Sequence, residues 1–512
     1  RGFGAGVLGA DGGGQGGGHF STATQITPDN VSDLTIAWVH RSGDYSEGDN
    51  FIDGLSGTKP LQSSWQATPI LIEDQLVICT PFNRIISVDA STGEERWSFT
   101  PDIDVASFGM PRCRGVTQWQ DPRTTEGEIC HTVVIAPLMD ARIVGLDAIT
   151  GERCSFGNKQ NLDLSVGLGP YEVGFYMLNT PPVIVNNTLI TGGSVADNIT
   201  TKVPSGVIRS YDLLSGELLW AWEPLGDPTA EPNAPNKQIN AAGEPVPTSS
   251  NQSTTDSSDP TFQRGTTNSW SFLSVDPDLG LVYVPTGNAT PDYFGGHRTP
   301  VMDKYASSIV AIDAKTGRTR WHFQTTHHDV WDYDVPSQPT LVDLMLEGQV
   351  RKVVIVPTKR GEIFMLDRAT GEPITEVAER PVPQTNLTGE RSSPTQPFSV
   401  GMPSFSYPVI REQDLFGISP VDQILCRLKF KELRYDGPMT PPSEQGTLLY
   451  PGPAGGMNWS SVAVDEERQL MVVQNTHLPF IVKMVPRERD LINNREEQSF
   501  SYGIGGPQRL CH

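Results

Sequence analysis

The sequence is short of basic residues. It contains 38 Lys and Arg against 60 Asp and Glu in 512 residues, which gives a formal net charge of −22 at pH 7. Proteins that bind nucleic acids need a basic face to neutralise phosphates. The composition therefore argues against a nucleic-acid partner.

The sequence also lacks a long apolar run and an initial methionine. No stretch approaches the roughly 18–20 apolar residues of a membrane-spanning helix, and the chain begins at Arg1. We therefore expect any signal peptide or membrane anchor to lie upstream of this sequence.

No two of the six cysteines form a Cys-x-x-Cys pair, which argues against a zinc or thioredoxin-type site. The cysteines are Cys79, Cys113, Cys130, Cys154, Cys426 and Cys511. Their even number permits disulfides, and Cys113 with Cys130 is the favoured pair, because short flanking strands could form a hairpin there. Free buried thiols are an equal alternative.

The sequence is rich in residues that favour turns. Gly (50) and Pro (42) are abundant, and helical periodicity is weak throughout, which favours many short strands. One string recurs five times: an apolar strand end, then Asp, two residues, Thr or Ser, and Gly. Its copies begin at Ser87, Gly145, Ser210, Ala311 and Met365.

This repeat predicts a β-hairpin turn. The Asp side chain accepts backbone N–H groups, and the Gly takes the positive-φ position. Three copies carry Trp four residues after the Gly, at Trp97, Trp220 and Trp321. We expect each Trp to return on the next strand and cover its own turn.

A second repeat alternates with the first. It runs from Trp to an Asp six positions later, then a turn, an apolar strand and Asn, over Asn268–Asn288 and Asn458–Asn475. Strand pairs that recur about every fifty residues predict an all-β fold of blades, a β-propeller. Residues 225–262, rich in Pro, Asn, Ser and Thr, interrupt the pattern as an exposed insertion.

Four polar segments could carry chemistry. Thr325–Leu341 holds two His and three Asp residues, although a solvated acidic turn would look the same. Lys359 follows an apolar strand, Arg114 precedes a Gly, and Gly192–Asn198 offers oxygen ligands. Taken singly, each has an ordinary structural explanation: a surface lysine, a structural arginine or an Asx turn.

Taken together, the polar segments resemble the membrane-bound quinoprotein dehydrogenases that use pyrroloquinoline quinone (PQQ), in the glucose and quinate/shikimate branch. The resemblance covers nearly the whole chain. It includes QITPDNVSDLTIAW, CRGVT, GGSVADN, PTGNATPD, HHDVWDYDVPSQPTL, TKRGEIFMLDRATGEPI, PVPQ, SPTQPFS and YPGPAGGMNW.

The resemblance implies that residues 1–512 form one propeller domain, of a family type with about eight four-stranded blades. The last blades are expected to be missing, because the chain ends without a closing strand. It also implies a place on the periplasmic face of the bacterial inner membrane, with the anchor outside this chain.

The resemblance further implies a set of site residues. Asp332 would be the general base, and Ca²⁺ or Mg²⁺ would be held by Asp197, Asn198 and Asn288. The residues expected to contact PQQ are Lys359, Arg114, Trp270, Thr180 and Asn475.

The implied reaction is the oxidation of a polyol or cyclic alcohol, with membrane ubiquinone as the electron acceptor. The stretch before Arg114 has no His, where the glucose branch is expected to have one. This departure puts glucose in doubt and leaves quinate, shikimate or another polyol open. The adjacent cysteines of the methanol-type branch are absent too.

Two alternatives remain: a scaffold propeller of the outer-membrane assembly type, without cofactor, and an inactive fragment of the enzyme. The repeat does not separate them, because fold does not imply function.

Overall fold

The computed structural model describes residues 15–47, 62–108, 110–198, 200–224, 261–405 and 409–486, and the backbone of the strand Tyr502–Gln508. All but the last two residues of the predicted insertion lie outside the described residues.

The strands assemble into antiparallel sheets that follow one another along the chain, and we call the five largest blades 1 to 5. Blade 1 contains Ile70–Ile72, Gln75–Cys79, Ile85–Asp89 and Glu95–Phe99. Blade 2 contains Thr117–Gln120, Thr132–Pro137, Arg142–Asp147 and Arg153–Cys154, with Leu162–Asp163 paired alongside. Blade 3 contains Val183–Val185, Thr188–Thr191, Ile208–Asp212 and Leu218–Trp222.

Blade 4 contains Ser274–Asp276, Leu281–Pro285, Ser308–Asp313 and Thr319–Gln324, and the three-stranded blade 5 contains Thr340–Leu346, Gln349–Pro357 and Ile363–Asp367. Smaller sheets pair Ser64–Trp65 with Arg112–Cys113, Tyr176–Met177 with Ser194–Val195, Val377–Pro381 with Thr395–Ser399, and Val462–Asp465 with Leu470–Val473. A further sheet joins Thr447–Leu449, Phe480–Pro486 and Tyr502–Gln508.

Helices are few in the described part of the chain. The α-helices are Pro300–Lys304 and Pro420–Glu432, and the 3₁₀ turns are Val31–Asp33, Val105–Ser107 and Glu412–Asp414. Among these residues, no helix is both long and apolar enough to cross a bilayer. The predicted all-β class is confirmed.

The Asp-x-x-(Thr/Ser)-Gly string forms the predicted turn in all five copies. The Asp Oδ1 accepts the backbone N–H groups two and three residues later, at 2.8 to 3.2 Å. The Gly φ angles lie between 71° and 75°. A residue with a Cβ is strained at that φ, which explains the Gly.

The expectation that each Trp covers its own turn is wrong, because each covers the turn of the following blade. A Cβ on Gly151 would lie 2.7 Å from the Trp97 ring, and Trp97 Nε1 donates to Ala148 O at 3.0 Å. Trp220 packs in the same way on Gly317, and Trp321 on Gly371. The repeat therefore joins neighbouring blades.

The core lies between the blades. Trp220 of blade 3, for example, is buried in one cluster with Val282 and Ile312 of blade 4. Because apolar side chains line both faces of these strands, each blade shields its neighbours from water, which is the main stabilising contribution.

The favoured cysteine pairing is also wrong. Two disulfides join described residues, Cys79–Cys113 and Cys130–Cys154, with Cα atoms 6.0 and 5.8 Å apart. In the hairpin register, Gln120 lies opposite Thr132, so Cys113 and Cys130 lie at opposite ends of the strand pair. No cysteine in the described residues is a free thiol, which removes the alternative as well.

Candidate functional site

The acidic segment after blade 4 is shaped by Asp329, which is a structural residue. Its carboxylate accepts the backbone N–H groups of Trp331 at 2.9 Å and Tyr333 at 2.8 Å, and the Ser307 hydroxyl at 2.7 Å. The Trp331 and Tyr333 rings are buried. With these two rings directed into the core, Asp332 and Asp334 are free to face the opposite side.

Asp332 and Asp334 converge on one lysine. Lys359 Nζ donates to Asp332 Oδ1 at 2.7 Å and to Asp332 O at 2.9 Å, and it forms an ion pair with Asp334. The Asp332 backbone has a φ of 63°, in the left-handed region that Asp adopts more readily than most residues. The side chain of Asp332 is 20% exposed and that of Lys359 is 6% exposed, so the pair lies at the wall of a site.

Gly455 packs closely against the side chain of Lys359 and restricts its position. It follows the strand Gln349–Pro357 of blade 5, and Gly456 N donates to Lys359 O at 2.7 Å. A Cβ on Gly455, which has a φ of 73°, would lie 2.6 Å from Lys359 Cγ. This close approach excludes any side chain there and directs the lysine toward Asp332.

Four carboxylates interact electrostatically in this region: Asp197, Asp292, Asp332 and Asp334. Of these, Asp332 and Asp334 contact the Lys359 ammonium group directly. Burial, with the charges of Asp334 and Asp197, raises the pKa of Asp332 well above its ordinary value, and Lys359 opposes the shift. The carboxylates in turn raise the pKa of Lys359, against the effect of its burial. The site therefore has an excess of negative charge and a carboxyl group with enhanced proton affinity.

Asp197 and Asp292 are short of positive partners. Burial and the Asp334 charge raise the pKa of Asp197 to about 6. Burial and the Asp197 charge raise the pKa of Asp292 well above its usual range, and Asp292 Oδ2 is buried without a hydrogen bond. Buried carboxylates in this state favour a bound cation.

Sequence reasoning missed Asp292 and assigned no role to Asp334. The signal for Asp292 was its position in PTGNATPD, four residues after Asn288. The signal for Asp334 was its spacing of two from Asp332, which places both side chains on one side of an extended segment.

Trp270 presents a flat ring between two cations. The Arg114 guanidinium lies 5.1 Å from the ring centroid and Lys359 Nζ lies 5.9 Å from it. Trp270 Nε1 donates to Asp334 Oδ2 at 2.5 Å, which fixes the ring plane. The ring is only partly buried, so it can accept a stacked aromatic ligand.

Hydrogen bonds from Arg114 link Thr180 to Trp270. Arg114 donates to Asn179 Oδ1 at 2.8 Å, to Thr180 Oγ1 at 3.2 Å and to Trp270 O at 2.9 Å. These partners are all neutral. Burial and the Arg112 charge lower the pKa of Arg114 to about 9, which leaves the guanidinium charged at neutral pH. A buried cation with neutral partners is suited to an anionic ligand.

The remaining predicted ligands are less tightly grouped. Asn288 is buried, and its amide bonds to Asp292 O, Asp329 O and Ala289 N. Asn198 is exposed beside Asp197. Asn475 donates to Phe405 O at 3.1 Å. Within the described residues, no three His, Cys, Asp or Glu side chains already surround one point as metal ligands.

The two histidines of the acidic segment have different partners. His327 contacts Glu379 at 3.1 Å. His328 is buried between two carboxylates, with Nδ1 2.8 Å from Asp303 Oδ2 and Nε2 3.0 Å from Glu390 Oε1. This acid–His–acid clamp ties the loop before Asp332 to the helix Pro300–Lys304 and to the loop that carries Glu390.

Comparison with known proteins places this geometry in a family. Residues 10–508 match the PQQ family described as the β-propeller domain of glucose, ethanol and alcohol dehydrogenases. The chain is 38% identical over 483 residues to the quinoprotein glucose dehydrogenase of Escherichia coli, covering 92% of this chain and 56% of that protein. It is 39% identical over 481 residues to the glycerol dehydrogenase large subunit of Gluconobacter oxydans, covering 92% and 60%.

The quinate/shikimate dehydrogenase (quinone) of Acinetobacter baylyi is 34% identical over 488 residues, covering 92% of this chain and 56% of that protein. The chain thus spans little more than half the length of these curated relatives.

A solved structure supports the fold. The quinohemoprotein alcohol dehydrogenase of Comamonas testosteroni superposes with a TM-score of 0.62 at 22% identity, covering 93% of this chain and 59% of that one. The predicted β-propeller is thereby confirmed. Together with the family match and the sequence identities, it shows that this chain belongs to the β-propeller family of PQQ-dependent glucose, ethanol and alcohol dehydrogenases.

Proposed function

We propose that this chain binds PQQ and a divalent cation beside Trp270, and that it oxidises a sugar, polyol or cyclic alcohol. The observation that carries the proposal is the Asp332–Lys359 pair, a carboxyl group of raised pKa held 2.7 Å from an ammonium group next to an open aromatic ring. A scaffold propeller has no need for such a pair, and ion pairs this deeply buried cost desolvation energy.

PQQ is a flat quinone with three carboxylates, and when bound it supplies the two-electron redox chemistry that protein side chains lack. The residues present suit such a ligand. Trp270 would lie against its plane, Arg114 and Thr180 would hold a carboxylate, and Lys359 would donate to its oxygens. Asn475, at the end of the strand Leu470–Val473, would contribute a more distant contact.

Asp332 would act as the general base. Its raised pKa increases its affinity for the hydroxyl proton of the alcohol, while the hydrogen bond from Lys359 keeps the carboxylate oriented. The backbone carbonyl of Asp332 also accepts from Lys359, so rotation of the carboxylate does not release the lysine.

Asp197 would be the principal ligand of the cation, with Asn198 and Asn288 as further oxygen donors. Oxygen ligands of this kind favour Ca²⁺ or Mg²⁺ over softer metals. Asp292 adds a second carboxylate with an unpartnered oxygen, and we include it as a candidate ligand. Burial and the Asp334 charge raise the pKa of Asp197 to about 6, and a cation here would favour its charged form.

The substrate class follows from the relatives, which are named for glucose, glycerol, and quinate or shikimate. The missing His before Arg114 leads us to place cyclic alcohols and polyols ahead of glucose. The name of the quinate/shikimate relative also includes a quinone. We therefore propose that a membrane ubiquinone accepts the electrons. The reaction would take place on the periplasmic face of the inner membrane.

The test is reconstitution. Purified protein is mixed with PQQ and either Ca²⁺ or Mg²⁺, and reduction of a dye is followed with glucose, glycerol, quinate and shikimate. We expect tight PQQ binding, measured by absorbance, and dye reduction with at least one alcohol that a chelator abolishes. Absence of PQQ binding under all these conditions would contradict the proposal and favour the scaffold alternative.

A further inference from the structure

Arg112 lies two residues before Arg114, in the short strand that ends at Cys113. Side chains of an extended segment alternate between its two sides, so the two arginines point to one side and the cysteine to the other. Cys113 is buried and bonded to Cys79 of blade 1, which fixes the orientation of the strand. Because Arg114 contacts the Trp270 ring, Arg112 is directed toward the same side of the fold as the candidate site.

The guanidinium group of Arg112 has no acceptor in the described part of the chain. No hydrogen bond or ion pair joins it to another described residue, and its Nε atom is buried. Burial lowers the pKa of Arg112, and the charge of Asp197 opposes this shift only in part. The residue as a whole is only partly buried, so a ligand can reach it.

Other arginines of the described core bond to acceptors of the protein itself. Arg368 donates to Asp276 at 2.9 Å, and Arg298 donates to the backbone carbonyl oxygen of Asp329 at 2.5 Å. Arg112 differs from them, because the described fold supplies it with no acceptor. A guanidinium group in this state costs stability, and a ligand that brings its own anion would compensate the charge.

The neighbours of Arg112 strengthen its need for an anion. The charge of Arg112 helps to lower the pKa of Arg114, so the two guanidinium groups repel each other. Asp197 is the principal ligand of the proposed cation, and a bound cation would reduce its attraction for Arg112. The two arginines thus form a positive edge on a site that is otherwise acidic.

Arg112 lies away from the ring proposed to stack on PQQ. Arg114 and Lys359 lie 5.1 and 5.9 Å from the centroid of the Trp270 ring. Among the described residues, Arg112 makes no such contact with that ring. The carboxylate that Arg112 meets is therefore better supplied by a second ligand, the alcohol substrate, than by the cofactor.

The neighbouring strand places neutral polar groups beside Arg112. Ser64 is its register partner in the parallel pair, so the two side chains lie on the same side of the strands. Gln66 Nε2 donates to Ser64 Oγ at 3.0 Å, while Gln66 Oε1 is buried without a hydrogen-bond partner in the described chain. An open amide oxygen next to a guanidinium group suits a ligand that carries both hydroxyl and carboxylate groups.

We propose that Arg112 is a specificity residue that binds the carboxylate of the alcohol substrate, so that the protein prefers hydroxy acids of the quinate and shikimate type to neutral polyols. The inference rests on the proposed function. The guanidinium fork matches a carboxylate with two parallel hydrogen bonds. The carboxylate is bound and left unchanged, and the hydroxyl group that is oxidised is a separate group of the same molecule.

The test compares quinate with methyl quinate, which keeps the ring hydroxyl groups and loses the charge. Dye reduction by the PQQ-loaded protein is followed over a range of each substrate concentration. We expect kcat/KM to be roughly ten- to a hundredfold higher for quinate, mostly through a lower KM, because charge-assisted hydrogen bonds hold the acid alone.

Two variants make the test specific. Arg112→Met should lower kcat/KM for quinate roughly ten- to a hundredfold and leave methyl quinate and glycerol unchanged. Arg112→Lys should keep part of the preference, since it retains the charge but not the planar fork. The matched control is Arg142→Met, which removes an arginine that is 28% exposed and paired with Asp140 in blade 2. It changes the net charge equally and should leave both substrates unaffected.

Equal kcat/KM values for quinate and methyl quinate in the unmodified protein would overturn the inference, whether or not the variants fold, and would leave the proposed function standing. An equal loss in Arg142→Met would also overturn it, because net charge would then explain the effect. If Arg112→Met weakens PQQ binding, measured by absorbance, and slows all alcohols alike, Arg112 holds the cofactor instead. Failure of the PQQ-loaded protein to oxidise any alcohol would contradict the proposed function, and the inference with it.

Discussion

Two sets of aspartates in this protein have opposite environments. The turn aspartates, Asp89, Asp147, Asp212, Asp313 and Asp367, each accept at least two backbone N–H groups. The site aspartates, Asp197, Asp292, Asp332 and Asp334, interact unfavourably with one another, and Lys359 contacts two of them, Asp332 and Asp334. Each turn carboxylate accepts several hydrogen bonds, whereas the site carboxylates have too few donors and cations to balance their negative charge.

The pKa values show the consequence. Hydrogen bonds from Arg96, Thr92 and Ser91 lower the pKa of Asp89 to about 2, whereas burial raises the pKa of Asp332 well above its ordinary value. The same residue type is thus stabilised as an anion in a turn and made a proton acceptor in the site. The number of Asp residues in a segment therefore does not show whether a given Asp is a stabilised turn anion or a proton acceptor in a site.

The largest expected effect is on turnover. Asp332→Asn should lower the rate of the reconstituted protein roughly a hundred- to ten-thousand-fold, as removal of a general base does, while PQQ binding persists. Asp89→Asn is the matched control, since it changes a turn aspartate of blade 1 and should leave turnover intact. Steady-state dye reduction checks both, and normal turnover in Asp332→Asn would contradict the assignment.

The next effect is on stability at the site. Lys359→Met removes the cation that contacts both Asp332 and Asp334, and leaving buried carboxylates unpaired should cost about 3–5 kcal/mol in the free energy of unfolding. The control Lys352→Met changes a lysine that is 37% exposed and should cost at most about 1 kcal/mol. Urea unfolding measures both, and equal losses would show that Lys359 does not hold the carboxylates together.

A smaller effect tests the turns. Gly151→Ala introduces a Cβ at a φ of 75° and 2.7 Å from the Trp97 ring, so it should cost about 2–4 kcal/mol. Gly348→Ala is the control, because Gly348 has a φ of 77° with nothing within 4 Å of the added Cβ. It should show the backbone strain alone, about 1 kcal/mol. Similar losses in urea unfolding would mean that the packing of Trp97 on the next blade contributes little.

The smallest effect is a pH dependence at the His328 clamp. Burial lowers the pKa of His328, but hydrogen bonds to Asp303 and Glu390 raise it more, so the net shift is upward. The clamp then stabilises the fold fully below the ordinary histidine pKa, and the stabilisation is lost as pH rises through the raised pKa. The melting temperature should therefore differ most between wild type and His328→Gln at low pH.

His322 provides the opposite case. Burial and the Lys304 charge lower its pKa to about 4, so wild type should lose stability relative to His322→Phe as pH falls from about 6.5 toward 4. Parallel pH profiles for the two variants would show that the carboxylates of the clamp do not control His328.

Local features could be predicted from the sequence. The Asp-x-x-(Thr/Ser)-Gly turn depends on five adjacent residues, so its hydrogen bonds and positive φ could be read directly. The convergence of Asp332, Lys359, Trp270, Arg114 and Thr180 was predicted through the resemblance to a family rather than from spacing. Asp292 was missed, because nothing local distinguishes a buried carboxylate without a partner from a solvated one.

The sequence by itself determined the turns, the strand hairpins and the all-β class, because these follow from contacts between residues close in the chain. Only the tertiary structure decided where the Trp rings pack, which cysteines pair and how Lys359 contacts two of four neighbouring carboxylates. These outcomes depend on distances between segments far apart in sequence, and burial and charge arise only when those segments meet.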